Sequence, residues 1–328
     1  MTRSLGLVLL IVLVAGAVGL AHYALSGHPV TGFPRQTADV LERGRAFIEK
    51  QVMAERAPSA RTDDLQTGAS GSIQVYFAPC QSFNPFGIDR ALVRLIGSAK
   101  RSVAAAFYEL QLQSIADALI AKHHEGVEVR IVSDSDYAKR DAVQSCIQAG
   151  IPVVFDNREP FMHDKFCVVD GRAVWTGSTN ATENCMYRND NNSVLIESDR
   201  LAEGYSTEFE EMFTDHLFGK RKRTPYPEVR VDGTRIECYF SPDDAVQTAI
   251  VRDIDGAKTG VDVLAFSFTS EPIAKALAGR IRDGVRVRAV FDKTQAGNGH
   301  AQDDFLRKHG ADVRMDGNEY AMHDKVMI

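Results

Sequence analysis

The tetrapeptide Met-His-Asp-Lys occurs twice in this chain of 328 residues, at residues 162–165 and at residues 322–325. The histidine and the lysine of each copy are two positions apart, so on a β-strand their side chains project from the same face. An imidazole can act as a nucleophile or as a general acid, and an ammonium group can hold an anion. The pattern predicts such chemistry on an anionic group. The candidate catalytic residues are His163, Lys165, His323 and Lys325.

A second set of polar residues follows the first copy. Asp170 begins a predicted turn, and the next strand, residues 173–176, would return Gly177, Ser178 and Asn180 to the same place. Ammonium, hydroxyl and amide groups are hydrogen-bond donors, and a tetrahedral oxyanion such as phosphate fits them best. The sequence shows no acidic cluster suited to Mg²⁺ and no Cys/His spacing suited to zinc. It therefore predicts chemistry at phosphate with no metal and no cofactor.

The repetition itself suggests a mechanism. Cleavage of a phosphodiester in two displacement steps needs one neutral imidazole to attack phosphorus and one protonated imidazole to protonate the leaving oxygen. Two copies of one domain, related by a pseudo-twofold axis, would bring His163 and His323 to opposite sides of one phosphate. Because one chain supplies both copies, no obligate homodimer is expected.

The motif residues follow the pattern H-x-K-x(4)-D-x(6)-G-S-x-N. From about Ser72 to Ile328 the chain resembles the phospholipase D superfamily, whose signature is this paired motif. The resemblance implies a covalent phosphohistidine intermediate and a phosphate held by the lysines with Ser178 and Asn180. It also implies that Asp170 supports the loop structurally. In two-copy relatives the first histidine is commonly the nucleophile, so the resemblance assigns attack to His163 and the acid role to His323. The motif residues are His163, Lys165, Asp170, Gly177, Ser178 and Asn180.

Two departures from the family pattern affect these roles. Many relatives place a carboxylate about 13 residues after the motif serine, where this chain has Asn191. We expect its amide oxygen to hold the second ring nitrogen of His163, which would stabilise imidazolium less than a carboxylate does. The second motif stops at Ile328, before its expected aspartate and G-S-x-N. We therefore expect a C-terminally truncated second domain and a chain that is a fragment of a longer protein.

Several other segments recur in similar form, such as IQVYFAP at Ile73 and IECYFSP at Ile236. Short Val/Ile/Phe-rich strands alternate with helices of 3.6-residue period in both halves, which predicts the α/β class. The predicted architecture is two tandem phospholipase D-like α/β sandwich repeats, residues 71–218 and residues 231–328, joined by a basic linker at residues 219–230.

The N-terminus is apolar from Leu5 to Ala21. Residues 1–25 are predicted to be a signal peptide or a membrane anchor, and residues 26–70 a linker with one short helix. Either alternative places the body outside the cytoplasm, membrane-anchored through residues 5–25 or secreted to the periplasm or medium. In that compartment a disulfide between Cys80 and Cys185 is a possible clip.

The substrate stays open between two classes. The net charge of −6 provides no overall basic field for nucleic acid. A phospholipid head group is favoured by the predicted membrane placement, and a nuclease of the same superfamily is the alternative. An exposed apolar rim containing Phe83, Phe86 or Phe161 would favour lipid, whereas a groove ringed by Arg and Lys would favour nucleic acid. A third alternative is a degenerate phosphate-binding module without catalysis.

Overall fold

The computed structural model describes residues 72–81, 84–219, 225 and 227–328, which lie within one compact unit. The predicted signal or anchor segment, the N-terminal linker and Phe83 lie outside the described residues. In the part of the chain that is described, no helix has the length and apolar character needed to cross a bilayer.

The first sheet has seven strands in the order β1-β7-β6-β5-β2-β3-β4. The strands β2, β3 and β4 are parallel, whereas β5, β6, β7 and β1 pair antiparallel. The central strands read as nearly continuous apolar runs because both of their faces are buried. The strands are β1 Ile73–Ala78, β2 Ser102–Phe107, β3 Glu128–Ser133, β4 Val153–Phe155, β5 Lys165–Val169, β6 Ala173–Gly177 and β7 Asn191–Glu197.

Two apolar cores cover the two faces of this sheet. Cys167 and Val169 of β5 face one core, and Phe166 and Val168 face the other. The first core is built with α1, α2 and α3, and the second with α5, which supplies Phe209. The predicted strand His163–Val169 therefore exists, although it begins at Lys165. The helices are α1 Ile88–Ser98, α2 Gln113–His124, α3 Asp141–Gln148, α4 Glu183–Tyr187 and α5 Asp199–Phe213.

A hairpin follows the first sheet in the chain. Its strands, β8 Glu228–Val231 and β9 Thr234–Glu237, pair with each other, and Val229 and Val231 join the second core of the first sheet. The structure thus differs from the predicted linker at residues 219–230, because its last residues form a strand whose alternating valines are buried. The segment at Ile236, which matches β1 in sequence, pairs within this hairpin.

The second sheet has four strands in the order β12-β11-β10-β13. The strands β10, β11 and β12 are parallel and β13 is antiparallel to β10. This is the order and direction of β4-β3-β2-β5 in the first sheet. The elements are β10 Gly260–Ala265, β11 Arg286–Phe291, β12 Asp312–Met315, β13 Lys325–Met327, α6 Val246–Gly256, α7 Glu271–Arg282 and α8 Asp303–Lys308.

The possible disulfide between Cys80 and Cys185 is not formed. Both side chains are free thiols, and Cys185 is buried in α4. Its sulfur accepts hydrogen bonds from the amides of Asn180 and Asn189, at 3.6 and 3.7 Å. Cys80 instead directs its thiol toward Asp89.

Candidate active site

Each His-x-Lys segment folds into the same local shape at the start of a strand. Lys165 Nζ donates to the backbone oxygen of His163 at 2.6 Å, and Lys325 Nζ donates to that of His323 at 2.6 Å. Histidine and lysine of each pair therefore lie side by side, as the two-residue spacing predicted.

An aromatic ring supports each pair, and sequence reasoning missed both rings. The Tyr108 ring centroid lies 4.6 Å from that of His163 and 4.7 Å from Lys165 Nζ. Phe266 occupies the matching place, 4.9 Å from the His323 ring and 5.1 Å from Lys325 Nζ. Each ring directly follows a strand, β2 or β10. The sequence carried a signal for these rings, because an aromatic residue follows the apolar run of each of the two strands.

Two buried aspartates fix the loops that lead into the histidines. Asp134 Oδ2 accepts the backbone N–H of Met162 at 2.9 Å, and Asp292 Oδ2 accepts that of Met322 at 2.9 Å. The sequence carried a signal for them, because both end matching strand segments, RIVSD and RAVFD. Sequence reasoning gave them no role.

The second motif lies against residues 189–192, which we call the Asn-rich strip. Asp190 N–H donates to Ala321 O at 3.0 Å, and His323 N–H donates to Asp190 O at 2.8 Å. Asn192 Nδ2 donates to Asp324 Oδ1 at 2.6 Å. These bonds join the first sheet to the second motif, so they bring the two His-x-Lys segments together.

Asn191 holds a different histidine from the one expected. Its Oδ1 lies 2.9 Å from Nδ1 of His323 and also accepts the Ser178 hydroxyl at 2.9 Å. The expectation that Asn191 serves His163 is wrong, because the Asn-rich strip runs along residues 321–323 of the second motif.

The four candidate catalytic side chains lie close enough for their charges to affect one another's pKa values. Burial, followed by the charges of Lys165 and Lys325, lowers the pKa of His163 to about 4. Burial and the same two lysines lower the pKa of His323 to about 3. Burial lowers the pKa of Lys165 to about 7 and that of Lys325 to about 8. Both imidazoles are therefore neutral at pH 7, the form needed for attack on phosphorus, and a bound anion would favour the charged lysines.

The strand β6 delivers the remaining motif residues. A Cβ at Gly177 would lie 2.3 Å from Asn192 O, so the close approach of β7 requires glycine there. Ser178 and Asn180 are both buried. The Ser178 hydroxyl bonds Asn191, whereas Oδ1 of Asn180 has no hydrogen-bond partner within the described residues. Asn180 thus offers a free acceptor, and its amide nitrogen bonds the Cys185 sulfur.

Asp170 lies at the opposite end of β5 from the histidine. Its carboxylate accepts the backbone N–H groups of Lys100, Arg101 and Ser102, with its shortest bond, 2.7 Å, to Arg101. These bonds tie the β5–β6 turn to the start of β2, which fits the structural role that the resemblance implied. Across the described ranges no group of three or more His, Cys, Asp or Glu side chains could hold a metal ion.

Comparison with known proteins finds several similar chains. A family described as "Cardiolipin synthase, PLD-like domain" matches residues 92–213. A mitochondrial cardiolipin hydrolase of Xenopus laevis is 34% identical over 129 residues, which cover 39% of this chain and 61% of that protein. The Homo sapiens mitochondrial cardiolipin hydrolase is 29% identical over 227 residues, covering 67% of this chain and 85% of that protein. The solved structure of Nuc from Salmonella typhimurium, a phospholipase D family member, is 30% identical, covers 43% of this chain and 93% of its own, and has a TM-score of 0.39.

The chain belongs to the phospholipase D superfamily. It spans about 60% of the length of several curated relatives that it matches.

Proposed function

We propose that this chain hydrolyses phosphodiesters through a phosphohistidine intermediate, at the site where the two His-x-Lys segments meet. The observation that carries the proposal is that Asn191 Oδ1 accepts the hydroxyl of Ser178 from the first motif and lies 2.9 Å from Nδ1 of His323 in the second, so the two motifs meet although their strands belong to different sheets. Two neutral imidazoles beside two ammonium groups form a site that is complementary to one phosphate and poor for a cation.

The steps follow from these groups. One neutral imidazole attacks phosphorus, and the bond from phosphorus to the leaving oxygen breaks as that oxygen takes a proton from the other imidazole. Water then gives a proton to the second imidazole and displaces the first from phosphorus. Lys165 and Lys325 balance the charge of the non-bridging oxygens throughout. The bound anion raises the pKa of the groups around it, which allows the acid histidine to be protonated.

We infer that the two sheets are copies of one unit, related by a pseudo-twofold axis. The shared strand order supports this inference, as do the matching contacts of Tyr108 with Phe266 and of Asp134 with Asp292. Each copy supplies one histidine and one lysine, so one chain would build the site without a second subunit.

The proposed substrate is a phospholipid, cleaved at its head group. Phe161 is 55% exposed, and its ring lies 5.6 Å from that of Tyr108 and 6.4 Å from that of His163. An apolar side chain exposed beside the reacting groups is suited to acyl chains or a glycerol backbone. The names of the cardiolipin hydrolases support the same class. A membrane placement, as predicted from residues 5–25, would bring the site to such a substrate.

Single-stranded nucleic acid is the second candidate. The Arg140 guanidinium lies 5.5 Å from the ring centroid of Tyr137, and that of Arg188 lies 5.3 Å from that of Tyr320. Guanidinium groups paired with aromatic rings can hold phosphates and stack bases. Tyr320 lies three residues before His323, so such contacts would lie near the site.

The test is a comparison of two substrates in EDTA. The full chain is incubated with vesicles of cardiolipin and phosphatidylcholine and, separately, with a fluorescent single-stranded DNA. We expect phosphatidic acid or another phosphomonoester lipid to form, as detected by mass spectrometry. Cleavage of DNA alone would favour the second candidate. Binding of both substrates without cleavage of either would indicate the non-catalytic module.

A further inference from the structure

A buried thiol lies beside the place where the two motifs meet. Cys185 is only 5% exposed, yet it belongs to none of the three apolar cores of the described residues. Its sulfur instead accepts hydrogen bonds from two side-chain amides, that of Asn180 at 3.6 Å and that of Asn189 at 3.7 Å. A buried free cysteine ordinarily packs as a small apolar residue. The amide neighbours of Cys185 indicate a polar role instead.

The sulfur alone determines how the Asn180 amide is turned. Among the described residues it is the one hydrogen-bond partner of that amide, because Asn180 Oδ1 has none. An amide nitrogen carries two protons, so one proton directed at the sulfur leaves the second for another acceptor. Asn180 is a motif residue that the family resemblance assigns to phosphate binding. Its direction therefore depends on a residue outside the motif.

The same sulfur is connected to the second motif. Asn189, the other amide that donates to it, accepts the backbone N–H of Ala321 through Oδ1 at 3.2 Å. Ala321 lies two residues before His323. A change at the sulfur would therefore affect a candidate phosphate-binding side chain of the first motif and the loop that leads into the second.

Both backbone groups of Cys185 are also held. Its N–H donates to the Thr182 hydroxyl at 3.2 Å, and its carbonyl oxygen accepts Asn191 Nδ2 at 3.1 Å. The Asn191 side chain in turn contacts Ser178 and His323. With both backbone groups fixed in α4, the sulfur has a defined position from which it can orient its neighbours.

We propose that Cys185 is a positioning residue, whose sulfur directs the Asn180 amide toward the phosphate and couples it to the second motif through Asn189. This inference rests on the proposed function, because Asn180 has a phosphate to bind only if the site takes one. Loss of the sulfur would leave a buried amide without its partner. The amide would then no longer be held in one direction, and the site would bind phosphate more weakly.

Inorganic phosphate is the probe for this role. Its binding to the full chain is measured by isothermal titration calorimetry, and turnover by release of nitrophenolate from bis(4-nitrophenyl) phosphate. Cys185→Ala removes the acceptor with little change in volume, so we expect the Kd for phosphate to rise and kcat/KM to fall, each by about tenfold. Cys185→Ser keeps an acceptor and should stay within about threefold of the wild type in both.

Two further variants separate positioning from packing. Cys146→Ala is the matched control, because Cys146 is a buried thiol of α3 that lies within the first apolar core. It should lower the midpoint of thermal unfolding and leave the Kd for phosphate unchanged. Because Cys185 acts through Asn180, Cys185→Ala should add little to the effect of Asn180→Ala when the two are combined.

Three results would overturn the inference: an unchanged Kd for phosphate in Cys185→Ala, a Kd in Cys185→Ser as high as in Cys185→Ala, or fully additive effects of Cys185→Ala and Asn180→Ala. If Cys185→Ala does not fold, Cys185→Ser decides alone, since phosphate binding well below that of the wild type would contradict the role of the acceptor.

Failure of the proposed function gives a different result. A wild type that binds phosphate but releases no nitrophenolate would contradict the phosphodiesterase activity alone, and calorimetry of the variants would still test Cys185. A wild type that does not bind phosphate would contradict both proposals.

Discussion

Lys165 is a charged side chain that the protein buries, and its neighbours are a backbone carbonyl and an aromatic ring. Desolvation of an ammonium group disfavours the charged form. The charges of Asp164 and Asp134 favour the ammonium but only partly offset the cost of burial, so we expect Lys165 to lower the stability of the free protein.

The first prediction concerns the pH dependence of stability. The pKa of Lys165 falls from 10.5 in the unfolded chain to about 7 in the folded chain. Between these values the unfolded chain binds the additional proton, so the free energy of unfolding should rise with pH from about 7 to 10. Lys165→Met should flatten part of this rise and stabilise the protein by about 2 kcal/mol at pH 7.

Urea unfolding at pH 7 and at pH 9 measures both effects. Lys139→Met is the control, because Lys139 is exposed. An equal rise with pH in wild type and Lys165→Met would contradict the account.

The second prediction concerns Tyr108. Phe266 supports the second pair without a hydroxyl group, so the ring and not the hydroxyl should matter. Tyr108→Phe should retain most of the phosphodiesterase activity, whereas Tyr108→Leu should reduce kcat by about tenfold or more. If Tyr108→Phe is as slow as Tyr108→Leu, the hydroxyl bond to Tyr137 is the essential contact.

At the residue scale, spacing in the sequence located His163, Lys165, His323 and Lys325, because these contacts are local. Spacing could not assign Asn191 to its histidine. That contact crosses from one sheet to the other motif, 132 residues away. It depends on how the Asn-rich strip packs, which no short pattern specifies.

At the element scale, the contact between β6 and β7 positions the site. Gly177 pairs with Ser193 in the ladder, and the Asn-rich strip leads into β7. A shift of β7 would move Asn191 away from His323, so packing at Gly177 is coupled to the position of the histidine ring.

The third prediction concerns this contact. Gly177→Ala places a Cβ 2.3 Å from Asn192 O, which is backbone and cannot rotate away. We expect a loss of about 2–3 kcal/mol in the free energy of unfolding. Gly97→Ala, where a Cβ meets no atom within 4 Å in α1, should instead stabilise by about 0.5–1 kcal/mol. Thermal unfolding measures both, and equal effects would contradict the steric argument.

The fourth prediction concerns the Asn-rich strip. Asn192→Asp puts a negative charge against Asp324 and removes the 2.6 Å hydrogen bond. We expect faster hydrogen exchange at the His323 amide and a fall in activity of about tenfold. Asn298→Asp, the same change in an exposed loop, is the control. Unchanged exchange at His323 in Asn192→Asp would show that the strip does not hold the second motif.

Helices and strands were predicted correctly where a short stretch of sequence carries the whole hydrophobic pattern. Two similar segments of the sequence predict a helix followed by a strand, and they form α2 with β3 and α7 with β11; they are IADALIAKHHEGVEVRIVSD and IAKALAGRIRDGVRVRAVFD. The prediction failed at Ile236, where a segment similar in sequence to β1 pairs in a hairpin instead. Strand partners are set by which edges are available in the fold, and a strand's own residues do not contain that information.

At the scale of the whole molecule, the proposed mechanism takes one histidine from each of the two proposed repeats. The α/β class was predicted from the sequence, and the structure shows it. The arrangement of the two sheets around one phosphate remains a proposal. Repeats in a sequence indicate copies, whereas their packing depends on contacts such as that of Asp190 with Ala321.

The central claim is that both motifs of one chain build one phosphodiesterase site. The most direct measurement is steady-state release of nitrophenolate from bis(4-nitrophenyl) phosphate in EDTA, by wild type, His163→Ala, His323→Ala and an equimolar mixture of the two variants. We predict that the wild type is active in the chelator, that each variant loses at least about 100-fold in turnover, and that mixing restores nothing. The account is contradicted if EDTA abolishes activity and Mg²⁺ restores it, if either variant keeps wild-type turnover, or if the mixture recovers activity through a site shared between chains.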